Sequence, residues 1–326
     1  MNYAGKRVLV TGGLGFIGSN LAVRLARVGA RVTVIDSAVS GCGANWHNLA
    51  PVLGEINVIT ADIGALSAHR EVIEGTDVVF NMAGEISHIN SMRDPVRDLE
   101  LNTASQLRFL LSLRQFCPGI RVVYASTRQV YGVPQYLPIN EAHPINPIDF
   151  NGIHKHAAAS YHRLLTASGE IDASILRLTN IYGPRMALNI PEQGVLGHFF
   201  RRTLLGQDIE LFGDGKQVRD PVYVDDIVEA FLLVGARAGL PAPNMNVGGR
   251  DALSLEDMAR ILVAEGGGKL LYRPFPEGHK SIDIGSFSTD NSFIRDTLGW
   301  EPQVPFATGA RLTLDYYREH REHYLP

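Results

Sequence analysis

The segment Val8-Leu9-Val10-Thr11-Gly12-Gly13-Leu14-Gly15-Phe16-Ile17-Gly18 could hold a chain of phosphates. Gly12 permits a tight turn, Gly15 lets backbone approach a pyrophosphate, and Gly18 lets a following helix pack closely on the strand before it. That helix would offer the free N–H groups of its first turn, near Phe16 and Ile17, and its positive dipole end to an anion. Asp36 closes the next apolar run. A carboxylate there accepts hydrogen bonds from ribose hydroxyls and repels a ribose phosphate, and Ser37 rather than Arg follows it, so NAD is expected over NADP. Asp62-Ile63 follows the third apolar run and reads either as an adenine contact or as a helix N-cap. Ala83 lies among small residues after the fourth run, where a cofactor could lie against backbone.

Those groups need a scaffold. Short apolar runs at Val8–Val10, Val32–Ile35, Val58–Thr60, Val78–Phe80 and Val122–Tyr124 predict buried parallel strands, with a sixth at Ala173–Leu178. Helices are expected at Gly15–Val28, Leu66–Glu74, Pro95–Phe116 and Gly152–Ser168. This alternation predicts an α/β fold, a doubly wound, Rossmann-like parallel sheet. After Thr179 the elements shorten and mix. A helix is expected at Asp225–Val234, a returning strand at Asn244–Val247, and a helix at Ser254–Ala264 opened by a Ser254/Asp257 capping pair. The expected organisation is a dinucleotide-binding domain over residues 1–178 with a returning segment at about 222–247. Residues 179–221 and 248–326 would form a smaller mixed α/β substrate lobe.

Composition removes several classes. The 326 residues are 45% hydrophobic and 20% charged, as in ordinary globular proteins, with a formal net charge of −4. That charge offers no electrostatic case for nucleic acid or anionic membrane. No run approaches the ~20 apolar residues of a membrane span. Two cysteines, Cys42 and Cys117, outside metal-type spacing, fit a reducing cytoplasm. The histidines are scattered, and no metal site is expected.

Together with Thr11–Gly18, several further motifs resemble the extended short-chain dehydrogenase/reductase family of NAD-dependent sugar-nucleotide epimerases and dehydratases. They are Ser126-Thr127 with Val130-Tyr131-Gly132, Lys155, Asn180-Ile181-Tyr182-Gly183-Pro184-Arg185, Phe212-Gly213-Asp214-Gly215, Arg219-Asp220, Tyr223-Val224-Asp225-Asp226 and Leu298-Gly299-Trp300. The resemblance spans nearly the whole chain. It implies a bound NAD that is reduced by the sugar and then returns the hydride. It also implies a homodimer built on two long helices per subunit, here Pro95–Phe116 and Gly152–Ser168. In the family a Tyr-x-x-x-Lys pair and a Ser/Thr do the chemistry. Lys155 matches the lysine, which holds the nicotinamide ribose, and Thr127 matches the hydroxyl that orients the substrate. By the same resemblance Asn180 and Arg219 hold the diphosphate, although both residue types also serve as loop hydrogen-bonders. Lys280 stands where the family has an Arg ten residues before a helix-capping Asp, here Asp290.

One position departs from the pattern. Spacing of four on a helix puts residue 151 on the face of Lys155, and residue 151 is Asn. An amide only donates and accepts hydrogen bonds and cannot serve as a base. Lys155 itself, or Glu85 and His88 in the loop after the fourth strand, are the candidate bases, with Glu85 and His88 also expected to meet substrate. Alternatively Asn151 only positions a hydroxyl, or the protein binds without turnover. Family members that eliminate water across C5 and C6 carry Asp-Glu after the Thr. Here Arg128 and Gln129 follow it, which disfavours that elimination. Arg128 reads equally as a substrate contact or a surface salt bridge. The expected activity is epimerisation of a nucleotide-linked sugar, with a dehydratase, an oxidoreductase or a non-catalytic binding protein as alternatives.

Overall fold

The computed structural model describes residues 2–190, 194–240, 244–274 and 283–325. The expected apolar runs become β1 (Arg7–Thr11), β2 (Arg31–Asp36), β3 (Asn57–Thr60), β4 (Val78–Asn81), β5 (Arg121–Thr127) and β6 (Asp172–Leu178). The strand Asn244–Val247 returns to pair with β6. The sheet order is Asn244–Val247, β6, β5, β4, β1, β2, β3, and every pairing is parallel. The chain winds outward through β2 and β3, then resumes at β4 on the other side of β1. The topological switch therefore lies between β1 and β4, where a crevice opens at the carboxyl ends of the strands. Val10, Val34, Phe80 and Val123 are fully buried on one sheet face, packed with the helix Val224–Gly235. Leu9, Val79 and Val122 fill the other with Phe109 and Leu113.

Helices Phe16–Arg27 and Phe150–Ala167 match expectation to within two residues. Two others do not. Residues expected as Leu66–Glu74 form a 3-10 turn, Ile63–His69, and one α turn, Arg70–Ile73. The expected helix Pro95–Phe116 is α at Pro95–Leu99, widens to a π stretch at Glu100–Ala104, and is α again at Ser105–Phe116. Such a bulge rotates the side chains beyond it and often accompanies a functional site. A helix at His88–Arg93, capped by Ser87, was not anticipated, because one short turn carries no periodic signal.

The second lobe has its own core. Phe199 and Phe200 from Val195–Leu204, Met258 and Leu262 from Leu255–Gly266, and Leu314 and Tyr317 from Phe306–Glu319 are buried together. Ser254 caps its helix through the Asp257 N–H at 3.0 Å, as its spacing predicts. This lobe closes over the carboxyl edge of the sheet. Among the described residues no helix is long and apolar enough to cross a membrane, and no cluster of metal-ligating side chains occurs.

Candidate active site

A cleft of about 460 Å³ runs along the switch point and beneath the second lobe. The glycine loop lines one end. Gly12 has φ of +66°, and a Cβ there would meet the Met82 carbonyl at 2.9 Å. A Cβ on Gly18 would lie 2.3 Å from the Gly12 oxygen. The loop is therefore closed to side chains by backbone, which leaves its surface open for a phosphate chain. Asp36 accepts the Leu14 N–H at 3.0 Å and the Ala38 N–H at 2.8 Å. Each oxygen keeps a lone pair for a further donor. Asp62 forms the expected N-cap, its Oδ1 accepting Gly64 N–H at 2.5 Å at the start of the 3-10 turn, and with Ile63 it also lines the cleft.

Behind this edge runs a buried polar chain. The Thr11 hydroxyl donates to Asn81 Oδ1 at 2.8 Å, and Asn81 Nδ2 donates to Gln106 Oε1 at 2.7 Å. Gln106 donates to the Ala83 carbonyl at 2.8 Å. The chain locks Ala83 and Gly84 in place beside the cleft.

The helix Phe150–Ala167 positions the other end. Asp149 caps it, its Oδ1 accepting Gly152 N–H at 2.6 Å. The helix buries Asn151, His154, Lys155, Ala158, His162 and Leu165, a stripe at helical spacing. Lys155 lies beside Gly84 and Asn102: a Cβ on Gly84 would sit 2.5 Å from Asn102 Oδ1 and 2.6 Å from Lys155 Nζ. Burial holds the Lys155 amine down at about 8, with Asp98 and Glu85 pulling the other way. Among the described residues neither amide atom of Asn102, both buried, has a hydrogen-bond partner. Thr127 ends β5, and its Oγ1 accepts Gln129 N–H at 3.2 Å, which leaves the hydroxyl proton for another acceptor.

Asn151 is buried and committed. Its Nδ2 donates to the Glu85 carbonyl at 3.0 Å and to Asp98 Oδ2 at 3.2 Å. Asp98 also binds His154 Nδ1 at 2.6 Å. Glu85 is held as well: Oε1 accepts the N–H groups of Ile86 and Ser87, both at 2.9 Å, and Oε2 accepts Cys42 Sγ–H at 2.9 Å. His88 lines the cleft with Nδ1 3.1 Å from Asp149 Oδ2.

At the substrate-lobe end the two arginines differ. Arg219 is spent on the chain itself. Its Nη1 donates to the Val218 and Gly285 carbonyls at 2.8 and 2.6 Å, its Nη2 to Gln217 Oε1 at 3.3 Å, and Asp283 is 4.0 Å away. Arg128 stacks on the Phe287 ring, 5.0 Å from its centroid, and touches Gln129 Oε1 at 3.4 Å. Among the described residues no carboxylate lies within 4 Å of it, so the surface salt bridge is not formed; Arg128 faces the cleft instead. Burial and the like charge of Arg219 pull it down to about 9. Asn180 also lines the cleft, its buried Oδ1 without a partner among the described residues. Lys280 lies outside the described residues.

Sequence reasoning found the glycine loop, Asp36, Thr127, Lys155 and the 151 position, and all of them line this one cleft. It missed Asp98, Asn102 and Asp149. Only Asp149 had a local signal, as an N-cap residue before an apolar run.

A parallel doubly wound sheet with a closed glycine loop, an acid after the second strand and a buried lysine beside the crevice defines a dinucleotide-dependent enzyme with a substrate lobe. Residues 8–248 match the NAD dependent epimerase/dehydratase family, and the chain belongs to that family. It is similar to the UDP-glucose 4-epimerase of Mycolicibacterium smegmatis, 33% identical over 96% of this chain and 98% of the relative. It is also similar to UDP-glucuronic acid decarboxylase 1 of Xenopus tropicalis, 29% identical over 98% of this chain and 73% of the relative. Among solved structures, the Thermotoga maritima UDP-glucose 4-epimerase with UDP-glucose superposes with a TM-score of 0.87 at 29% identity, covering 97% of this chain and 99% of that one. The dTDP-glucose 4,6-dehydratase of Streptomyces venezuelae, solved with NAD and TYD bound, superposes with a TM-score of 0.86 at 30% identity, covering 98% and 99%. The chain is an NAD-dependent nucleotide-sugar epimerase/dehydratase, and NAD is its cofactor.

Proposed function

We propose that the chain epimerises a ring carbon of a nucleotide-linked sugar by transient oxidation of a ring hydroxyl. What carries this reading is a single cleft lined both by the glycine loop with Asp36 and by Thr127, Arg128, Asn151 and Lys155. Gly12, Gly15, Phe16, Ile17 and Gly18 would hold the pyrophosphate, Asp36 the adenosine ribose, and Asp62, Ile63 and Ala83 the adenine end and the inner face. When bound, NAD would supply the acceptor and the donor for the hydride of that carbon. Lys155 fixes the nicotinamide ribose, and the Thr127 hydroxyl orients the reacting sugar oxygen. Asn151 acts by position: its amide ties the Glu85 backbone to the helix that carries Lys155. Arg128, Arg219, Asn180, Glu85, His88 and Lys280 border or complete the sugar-nucleotide site.

Arg128 and Gln129 favour epimerisation over elimination, because neither side chain can shuttle a proton at C5 and C6. The apolar side chains left exposed on the two long helices, Leu99 and Leu111 on one and Phe150, Ile153 and Leu164 on the other, support a homodimer formed through them. Free Cys42 and Cys117 fit a cytoplasmic protein.

The test is incubation of NAD-loaded protein with a panel of sugar nucleotides, followed by NMR of the products. The expected result is inversion at one ring carbon without net accumulation of reduced cofactor. Loss of water or carbon dioxide would replace epimerisation with another reaction of the family. Tight binding without any product would make the chain a binding protein.

A further inference from the structure

The site lacks the family's tyrosine, and Asn151, Glu85 and Lys155 are each placed for another role. The Asn151 amide is neither acid nor base and is hydrogen-bonded to Glu85 and Asp98. The Glu85 carboxylate already accepts two backbone N–H groups and the Cys42 thiol. The Lys155 ammonium is packed under Gly84 and Asn102, over the Tyr124 ring at 6.0 Å, on the cofactor side of the cleft.

His88 is placed differently. It opens a helix whose first turn is held by Ser87 accepting the Asn90 N–H at 3.1 Å. About a third of its side chain is exposed, and it borders the same cavity as Thr127 and Asn151. Its Nδ1 lies 3.1 Å from Asp149 Oδ2, with the N–H off the straight line to the oxygen. Nε2 is therefore the nitrogen left for the cleft. Asp149 is buried and is itself oriented, by Gly152 N–H on Oδ1 and by Gln129 Nε2 at 3.3 Å on Oδ2. Burial pushes its carboxyl up, but His88, the Gly152 N–H and Arg128 outweigh burial and hold it below the ordinary value. An ionised carboxylate behind one ring nitrogen, itself fixed by other donors, is the arrangement that makes the opposite nitrogen a directed base. Bent contacts of this kind tighten when substrate fills a site.

We infer that His88 is the proton-transfer residue of this enzyme and Asp149 its positioning residue, an inference that rests on the epimerase reading above. In the forward half-reaction His88 Nε2 takes the proton of the sugar hydroxyl. The C–H electron pair leaves the same carbon as hydride for the oxidised nicotinamide, and a carbonyl forms. In the return half-reaction the hydride adds to the other face of that carbonyl, and the His88 imidazolium gives its proton back to the oxygen. Asp149 stabilises the imidazolium between the two steps. The other charged groups around the pair are Glu85 in the same loop, Arg128 behind Asp149, and Lys155 one turn along the helix that Asp149 caps.

The experiment compares wild type with His88→Ala, His88→Asn and Asp149→Asn, the last keeping a side-chain oxygen for the Gly152 cap. NAD binding by calorimetry should be unchanged in all three. The expected kcat loss for the His88 variants is about 100-fold or more, with KM little changed, and added imidazole should partly restore His88→Ala. Independently of activity, imidazole NMR of cofactor-free protein should show the wild-type His88 Nδ1–H held against Asp149 and released in Asp149→Asn. A His88→Ala enzyme with wild-type kcat overturns the base assignment alone. A His88 Nδ1–H signal unmoved in Asp149→Asn overturns the pair. A wild type that converts no sugar nucleotide overturns the epimerase reading first, and this assignment with it.

Discussion

Asn151 Nδ2 lies 3.2 Å from Asp98 Oδ2, and the other oxygen of the same carboxylate holds His154 Nδ1 at 2.6 Å. Asn151 is thus one corner of a buried polar network, linking the helix Phe150–Ala167 to the helix Pro95–Leu99 and to the loop that bears Glu85. Replacing it with Ala leaves a buried carboxylate oxygen and a buried carbonyl short of a donor. The expected cost is about 1–3 kcal/mol of stability, read as a lower denaturant midpoint with unchanged slope. A variant as stable as wild type would show that the network does not need the amide.

Arg128 should separate stability from binding. A half-buried guanidinium with no carboxylate within 4 Å among the described residues is a penalty for the fold, and it is relieved when an anionic ligand arrives. Arg128→Met is therefore expected to raise the melting temperature of the ligand-free protein. The same variant should weaken sugar-nucleotide binding by about 1.5–3 kcal/mol, a loss of roughly tenfold or more. Calorimetry and thermal melts of one preparation test both signs. If both stability and affinity fall, Arg128 is a structural residue only.

Lys155 imposes a pH signature. Burial holds its amine down at about 8, against 10.5 for an exposed lysine. Below about pH 8 the folded chain carries a buried charge, and the fold bears the full penalty. Between about pH 8 and 10.5 the unfolded chain binds the extra proton, so this residue makes stability rise with pH. The stability difference between Lys155→Met and wild type, measured without cofactor, should favour the variant most below about pH 8 and shrink across that window. A difference that stays flat over the window would refute burial as the cause. Turnover should be lost in the variant at every pH.

Gly18→Ala tests the glycine cradle. The added methyl would sit 2.3 Å from the Gly12 oxygen, with no flexible side chain to yield. The loop and the first helix must separate, so NAD affinity should drop at least tenfold by fluorescence titration. Gly29→Ala is the contrast: it sits at φ of +81°, so it strains backbone, but away from the cleft, and should cost stability without changing NAD affinity. Equal NAD affinity in Gly18→Ala and wild type would remove the loop from the site.

The glycine loop, the apolar strand runs of the first half and Asp36 were legible in the sequence. Each is a local statement, because the spacing of three glycines, an apolar run and one acid within a few turns fixes its own geometry. The same holds for Ser254 and Asp257, three residues apart and bonded as expected. The π stretch at Glu100–Ala104 was not legible, since it is a packing compromise between a helix and its neighbours rather than a property of its residues. Nor could the sequence tell Arg128 from Arg219. It offered two arginines, and only the folded chain shows that, of the two lining the cleft, Arg219 is tied to the carbonyls of Val218 and Gly285 while Arg128 is not.

Residue types and short-range spacing determined that this chain winds a parallel sheet around a dinucleotide crevice and that position 151 carries no base. Which side chains meet across that crevice was decided by chain closure alone. Asn151 and Asp98 are 53 residues apart, and the contact depends on how two helices and a loop settle against one sheet edge. Such distances are set by the packing of everything between them, and no local pattern records that.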